Sequence, residues 1–339
     1  MSKWSFKAVR LGPGREVELV DLSLAQAARI QEYTRALRAA ARSTVAKPLF
    51  SNYFVRESIG PRDGKPKPAG NIEYGLCQSL HGEESAVTAF RTHYGRGGSR
   101  KPLLGIIAGS PGNIATPCGN CRDILLDDLG SDFEIVSGAA DGGIAIVTKM
   151  RDYLFPSPRK IGRLDAKPEV LTRMRIAIRD GELLVNDAYS PKDKHPERRY
   201  HALIATTSAN FVGARDVMCE YHPIYPLRDA VRQARRADSP FVRFAVIVCE
   251  DFGGRPPHVM YKDRQHLFEL NLQGELLMDQ ECDPPVYLAT YNSQTKKIVS
   301  VWRTSVKEWL PLPFSPRNFG QAFVDHLTKY FEGLRSPER

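Results

Sequence analysis

The sequence lacks any run of about 20 apolar residues, so we expect no membrane-spanning helix and no membrane partner. It is also poor in cysteine, with six among 339 residues, too few for a disulfide scaffold of that length. The first residues, Met1 to Lys7, lack the apolar stretch of a secretory signal. These absences predict a soluble, cytoplasmic protein, and a hydrophobic content of 42% is enough to build folded cores.

The formal net charge is +9, yet the basic residues are spread along the chain, with only small clusters such as Arg232, Arg235 and Arg236. A dispersed positive excess is typical of a solvated surface. It is also compatible with phosphate-bearing or nucleic-acid partners. We favour the solvated surface and expect no nucleic-acid partner.

A chain of this length suits two domains of roughly 150 residues each. Apolar spacing predicts helices over 22–42, 81–93 and 118–129, and short apolar runs predict strands over 103–108, 134–136 and 143–148. The Pro/Gly/Lys-rich segment 60–70 predicts a turn between strands. Strands that alternate with helices indicate a layered α/β fold.

The second half repeats this order, with strands expected over 242–249, 286–291 and 298–302 and a helix over 263–270. Each half also ends in a similar segment, which is Tyr153-Leu-Phe-Pro-Ser-Pro158 in the first half and Trp309-Leu-Pro-Leu-Pro-Phe-Ser-Pro316 in the second. The repetition indicates a duplicated domain, with a boundary near 160–185.

Two short motifs carry the chemistry, His81-Gly82-Glu83 and Pro117-Cys118-Gly119-Asn120-Cys121. One imidazole and two thiolates make a three-ligand zinc set, which leaves the fourth position open for water. Zinc lowers the pKa of such a water to about 7. Glu83 can move protons without binding the metal, and H-x-E with P-C-x-x-C is the zinc-deaminase signature.

The alternative is a closed structural zinc site, or a buried histidine unrelated to the cysteines. A closed site needs a fourth ligand, for which Cys77 and His93 are the nearby candidates. Neither forms a second ligand pair at zinc-site spacing. We therefore favour the catalytic interpretation.

The stretch from Asn71 to Ala86, followed by Pro117 to Arg122, resembles the cytidine deaminase family. Within that family the chain is similar to the two-domain, homodimeric type. The resemblance implies duplicated three-layer α/β/α domains with mixed sheets and one zinc ion per chain. It places a catalytic domain over 21–165 and a degenerate, metal-free copy over 180–325, and leaves residues 1–20 unassigned.

The resemblance also implies roles for single residues. Asn71 and Glu73 match the pair that holds the ribose hydroxyl. The Gly82 backbone would meet the pyrimidine carbonyl, and the Thr116 carbonyl would accept from the 4-amino group. Aromatic contacts to the base are expected from Tyr53, with Phe54 as the competing choice, and from Phe314 in the closing segment, for which Phe155 is a weaker counterpart; ordinary core packing is the alternative for each of these rings.

The chain departs from the family in two places. Arg56-Glu57 stands where the family has Gly-Ala, and 36 residues separate His81 from Cys118. That interval includes a basic loop, 91–101, which we interpret as a surface insertion, although a lid or phosphate contact would also fit. The substrate is therefore left open among cytidine, deoxycytidine and modified or phosphorylated relatives.

The second half lacks the catalytic groups. Tyr225–Asp229 offers neither the histidine nor the glutamate, and Met260 and Asp263 stand in place of the cysteines. Cys219 and His222 resemble a ligand pair, but nothing nearby completes a set. We expect this copy to bind no metal.

We therefore predict a zinc enzyme of pyrimidine nucleoside metabolism that releases ammonia from a cytidine-type substrate. One alternative is an editing deaminase of single-stranded nucleic acid, which the positive charge would suit. Asn71 with Glu73 disfavours it, because a carboxylate on the 3′ hydroxyl leaves little room for a phosphodiester. A second alternative is a non-catalytic protein with structural zinc, which would have no need of Glu83.

Overall fold

The computed structural model describes residues 7–11, 17–21, 40, 42, 46–48, 53–61, 66–74, 78–95, 103–109, 114–139, 145–153, 159–184, 199–215, 224–251, 253–310, 325, 328 and 329. The chain divides into two compact units whose main spans are Met1–Leu154 and Phe155–Pro311. Both units are mixed α/β structures.

The first unit is built on a five-stranded mixed sheet in the order β4-β3-β7-β8-β9. The neighbours β7 and β8 run parallel, and the other pairs are antiparallel. Two separate hairpins, β1-β2 and β5-β6, complete the described strands. The strand bounds are β1 Lys7–Leu11, β2 Val17–Asp21, β3 Arg56–Pro61, β4 Lys67–Gly70, β5 Ile72–Tyr74, β6 Gln78–Leu80, β7 Leu103–Gly109, β8 Glu134–Ala139 and β9 Ala145–Lys149.

Two helices, α1 (Gly82–Tyr94) and α2 (Gly119–Leu129), cover one face of this sheet, and a short helix α3 (Met150–Tyr153) follows β9. Their apolar residues share one core with alternate residues of the strands; it includes Ile59, Ile107, Ile135, Val87, Phe90 and Leu125. Because strand side chains alternate between faces, Glu57 lies on the same face as Ile59, toward α1 and α2. The sheet thus presents one carboxyl group to the helices.

The second unit has a six-stranded sheet in the order β10-β15-β14-β13-β11-β12. Its strands are β10 Arg159–Ile161, β11 Tyr200–Thr206, β12 Asn210–Gly213, β13 Val242–Glu250, β14 Pro285–Tyr291 and β15 Ile298–Ser305. The pair β13-β14 is parallel, and the remaining pairs are antiparallel. Five of these strands therefore repeat the order and directions of the first sheet, with β10 added at the edge.

Helices lie on both faces of the second sheet. The apolar side of α4 (Pro168–Leu183) packs on one face with Leu203, Val246 and Tyr287. On the other face, α5 (Pro226–Arg236) approaches β12 so closely that a side chain at Gly213 would meet the Pro226 carbonyl. α6 (Tyr261–Met278) packs beside α5, and a short helix α7 (Val306–Trp309) follows β15. This unit is a three-layer α/β/α structure.

Most elements expected from the sequence are confirmed, including α1, α2, β7, β8, β13 and β14. The helix expected over 263–270 is longer and runs to Met278. Residues 160–185, where the sequence suggests a domain boundary, contain β10 and α4 of the second sheet. Most of the expected helix 22–42, the end of the loop 91–101, and Cys77, Phe155 and Phe314 lie outside the described residues. Among the described residues, no helix combines the length and hydropathy needed to cross a bilayer.

Candidate metal centre

His81 occupies the N-cap of α1, directly after the β5-β6 hairpin. Its backbone N–H donates to the Glu84 carboxylate over 2.9 Å, which is half of a capping box. The next residue, Gly82, lies against Val55, the residue directly before β3: a side chain at Gly82 would place its Cβ 3.1 Å from a Val55 methyl group. The missing side chain lets the start of α1 sit close to the sheet, which fixes His81 beside the second helix.

Cys118 and Cys121 lie at the N-cap and first turn of α2. The positive end of the helix dipole favours thiolates at these positions. The turn before the helix is secured by the buried Arg122, whose Nε donates to the Pro117 carbonyl over 2.9 Å. Both sulfur atoms therefore sit on a rigid helix end rather than on a loop.

The three side chains form a compact triangle. His81 Nδ1 lies 3.4 Å from each sulfur, and the two sulfurs are 3.5 Å apart. A tetrahedral zinc ion with bonds of about 2.3 Å to sulfur and about 2.0 Å to nitrogen would separate its ligand atoms by roughly 3.5–3.8 Å. In the part of the chain that the structure describes, this is the one group of three such side chains able to hold a metal. The donor set fits zinc.

Without a metal, the three groups share charge and protons. A hydrogen bond from Cys121 and the neighbouring His81 hold the pKa of Cys118 well below its usual range. The Cys118 thiolate raises the pKa of His81 to about 9. Burial, followed by the hydrogen bond with Cys118, raises the pKa of Cys121. In the metal-free site, protons are therefore held more strongly by His81 and Cys121 than by Cys118.

Glu83 lies in the first turn of α1 and is buried. Burial is the main cause that raises its pKa to about 7, and the Cys118 charge adds to it while His81 opposes it. A carboxyl group with a pKa near neutrality can both take up and release a proton. Glu83 is not part of the three-residue ligand group.

A cavity opens beside this group. Eight of the residues predicted for the site line it: Tyr53, Asn71, Glu73, His81, Gly82, Glu83, Thr116 and Cys118. Cys121 is fully buried behind them. The structure therefore brings together residues from three separate stretches of the sequence, while Phe314 lies outside the described part of the chain.

Asn71 has a structural role that the sequence did not reveal. Its Oδ1 accepts from the Val55 N–H over 2.9 Å, and its Nδ2 donates to the Tyr53 carbonyl over 2.8 Å. These bonds hold the chain that leads into β3 along the cavity wall. One amide N–H remains to offer to a ligand. Tyr53 is buried in that wall, and burial together with the charge of Glu83 raises the pKa of its hydroxyl.

Two acidic residues near the metal group were not assigned from the sequence. Glu84 accepts from His81 N–H at one oxygen and from Asn120 Nδ2 at the other, over 2.6 Å. It therefore links the N-termini of the two ligand-bearing helices, and its position three residues after the N-cap was the available signal. Glu57 is fully buried, and its pKa is raised well above the usual range by burial and by the charge of Glu83.

No protein-family model and no curated protein sequence matches the chain. Among solved structures, the chain is similar to the cytidine deaminase from Burkholderia pseudomallei, at 23% identity over 36% of this chain and 94% of that one, with a TM-score of 0.31. The chain is also similar to the cytidine deaminase from Mycobacterium leprae, at 24% identity over 35% of this chain and 92% of that one, with a TM-score of 0.28. The similarity to the cytidine deaminase from Mycobacterium tuberculosis is 27% identity over 30% of this chain and 79% of that one, with a TM-score of 0.25.

The second unit holds different residues at the equivalent helix positions. Tyr225 is the N-cap of α5, as His81 is of α1, and Met260 is the N-cap of α6, as Cys118 is of α2. Asp263 then stands where Cys121 stands in the first unit. It is fully buried, accepts from Arg228 Nη2 over 2.8 Å and accepts from the Tyr200 hydroxyl over 3.2 Å. Here an ion pair joins the two helix ends.

Proposed function

We propose that this protein is a zinc-dependent hydrolytic deaminase that converts a cytidine-type nucleoside, or a modified or phosphorylated relative, to the uridine-type product and ammonia. The observation that carries the proposal is the placement of Glu83. This buried carboxyl group lines the same cavity as two members of the His81–Cys118–Cys121 group. A zinc site with a purely structural purpose has no use for such a group in an open cavity.

His81, Cys118 and Cys121 would hold the ion. When bound, zinc lowers the pKa of a water molecule and so supplies a nucleophile at neutral pH. Glu83 would accept one proton from the attacking water and deliver it to the ring nitrogen beside C4, and would then carry the remaining proton of that oxygen to the departing amine. A C4–O bond forms, the C4–N bond breaks, ammonia leaves, and Glu83 returns to its starting state.

The structural-zinc alternative requires a fourth protein ligand. His93 is exposed and lies twelve residues along α1 from His81, which corresponds to about 18 Å at the rise of an α-helix. It therefore does not close the site. Among the described residues, no further histidine, cysteine or carboxylate belongs to the group.

Glu73 and Asn71 support a sugar-bearing substrate. Both line the cavity, Asn71 from the position directly before β5 and Glu73 from within β5. A carboxylate and the free N–H of an amide can accept from and donate to a sugar hydroxyl. We therefore assign the ribose to this side of the cavity and the base to the side of Glu83, Thr116 and Tyr53.

The test is ammonia release from cytidine, deoxycytidine, CMP, 5-substituted cytidines and a single-stranded cytosine-containing oligonucleotide. We expect release from at least one of the small substrates. Glu73→Gln should weaken the binding of a substrate with a 3′ hydroxyl by about 1–3 kcal/mol more than it weakens the binding of the 3′-deoxy analogue. Release from the oligonucleotide alone would favour an editing enzyme, and release from none of these substrates would refute the proposal.

A further inference from the structure

The second unit contains a cavity of its own, of about 560 Å³, on the α4 face of its sheet. β10, β13, β14 and β15 and the segment that enters α4 all contribute to its wall. Its volume lies within the range of small-molecule sites, about 300–1,000 Å³. The proposed deamination does not use this cavity.

The wall of the cavity is positively charged. It carries Arg159, Lys167, Arg243 and Arg303 against two carboxylates, Asp165 and Glu169. Both carboxylates are already engaged: Glu169 pairs with Arg243 over 3.2 Å, and Asp165 accepts from the Gly162 N–H over 2.9 Å. Arg159, Lys167 and Arg303 have no ion-pair partner within the described ranges. Three cations therefore remain to bind an anion.

Two of these cations are forced together by strand pairing. Arg159 on β10 lies directly opposite Arg303 on β15, and Arg303 lies opposite Tyr287 on β14. Opposite side chains of an antiparallel pair start about 4.5–5.5 Å apart at Cβ, and like charges there repel each other. An anion held between the two guanidinium groups removes that repulsion, and guanidinium groups bind phosphate through paired N–H donors.

The remaining walls fit a phosphate-bearing organic ligand rather than a bare ion. Tyr287 and Phe244 form an edge-to-face pair with ring centroids 6.3 Å apart, and both line the cavity. The N-terminus of the 16-residue helix α4, with Lys167 as its N-cap, adds the positive end of a helix dipole. The cavity thus combines a cationic rim with an aromatic floor.

We propose that this cavity binds the phosphate groups of a free nucleotide, and that the second unit is a nucleotide-binding module. The inference is independent of the proposed deamination. Phosphate groups also occur in nucleic acid, so the experiment must distinguish the two sources.

The experiment measures binding of CTP, CMP, cytidine, pyrophosphate and a single-stranded oligonucleotide to the full chain by calorimetry. Glu83→Gln serves as the background, so that no substrate is consumed. The test variant is Arg159→Gln/Arg303→Gln, and the matched control is Arg232→Gln, an exposed arginine on α5 at the opposite sheet face. Lys167→Gln is a second, single-site test variant.

We expect the double variant to weaken CTP and pyrophosphate binding by at least about tenfold, because two charge-assisted contacts are lost. Cytidine binding should be unchanged, and the control should stay within about twofold of the background. Thermal unfolding of each variant checks that the fold is kept; if the double variant unfolds, Lys167→Gln decides. No CTP binding, equal losses in test and control variants, or a response confined to the oligonucleotide would overturn the proposal.

Discussion

Glu57 is a carboxylic acid that is fully buried on the helix-covered face of the first sheet, and neither of its oxygens has a hydrogen-bond partner among the described residues. Because the pKa of Glu57 is raised in the folded protein, folding takes up a proton at pH values above the pKa that this residue has in the unfolded chain. The free energy of unfolding must therefore fall as pH rises above the unfolded value. A buried acid placed in this way makes the first unit less stable in alkaline solution.

Glu57→Gln should remove this pH dependence, because a neutral amide replaces a neutral acid without a proton to lose. We expect the variant to match the wild type near about pH 5 and to be more stable near about pH 8, by about 1.4 kcal/mol for each unit by which the pKa is raised. Urea unfolding of both proteins at both pH values measures this difference in the free energy of unfolding. The exposed Asp127→Asn is the control, and parallel pH curves for Glu57→Gln and wild type would contradict the account.

The three proposed zinc ligands would lose protons on binding the ion. His81, with a pKa of about 9, is protonated at neutral pH in the metal-free site, and Cys121 with its raised pKa is a thiol. Cys118, whose pKa is lowered, is the ligand that holds its proton least strongly. We expect release of about two protons per zinc ion near neutral pH, and weaker zinc binding as pH falls. Calorimetry in buffers of different ionisation enthalpy counts the protons, and a count near zero would refute this assignment.

At the scale of elements, the site depends on how two helix N-termini are held together. The Glu84 carboxylate accepts a hydrogen bond from each helix N-terminus, from the His81 N–H of α1 and from Asn120 Nδ2 of α2. We expect Glu84→Ala to weaken zinc affinity by about 10–100-fold, as loss of a residue that orients metal ligands does. Thr88→Ala, one turn along the exposed side of α1, is the matched control. A competitive zinc titration makes the measurement, and equal affinities for the two variants would show that Glu84 does not position the ligands.

The sequence predicted the elements whose apolar residues form short, clear patterns, such as α1, α2, β7 and β13. It missed α4 and α5, although Val170, Met174, Ala177 and Ile178 in α4 have helical spacing. The α4 residues lie in the range where the sequence suggests a domain boundary. The end of α6 was missed because Gly274 interrupts the pattern; the glycine is required there because a side chain would meet the Pro240 carbonyl.

The sequence predicts the residues that could bind the metal, but not the contacts that hold the site in place. His-x-Glu and C-x-x-C are read directly from the sequence, whereas the bonds of Asn71 to the Tyr53 and Val55 backbone depend on how distant segments meet. The burial of Glu57 likewise follows from sheet pairing. Spacing along the chain carries no information on such contacts.

At the scale of the whole molecule, five strands of each unit share one order and one set of directions. We infer that the units are copies of one ancestral domain that now differ in how their helix ends are joined. The His81–Cys118–Cys121 group joins the helix ends in the first unit, and the Arg228–Asp263 ion pair joins them in the second. The expected homodimer and the contact from Phe314 stay predictions.

Arg228→Ala should destabilise the second unit by about 3 kcal/mol, because it leaves a buried carboxylate without its cation. Arg228→Met/Asp263→Leu should restore part of that loss, since no unpaired charge is left buried, while the Tyr200 hydroxyl loses its Asp263 acceptor. Zinc content should be unchanged in both variants. Urea unfolding tests this against the exposed control Arg232→Ala; a loss no larger than that of the control would show that the pair does not hold the unit together.

In the proposed mechanism, Glu83 moves protons at a zinc site formed by His81, Cys118 and Cys121. The most direct measurement determines zinc content and ammonia release on the same samples of wild-type and Glu83→Gln protein. We predict about one zinc ion per chain in both and a fall in turnover of at least about 10²-fold in the variant. A Glu83→Gln protein that keeps most of its turnover, or that loses its zinc, would contradict the account.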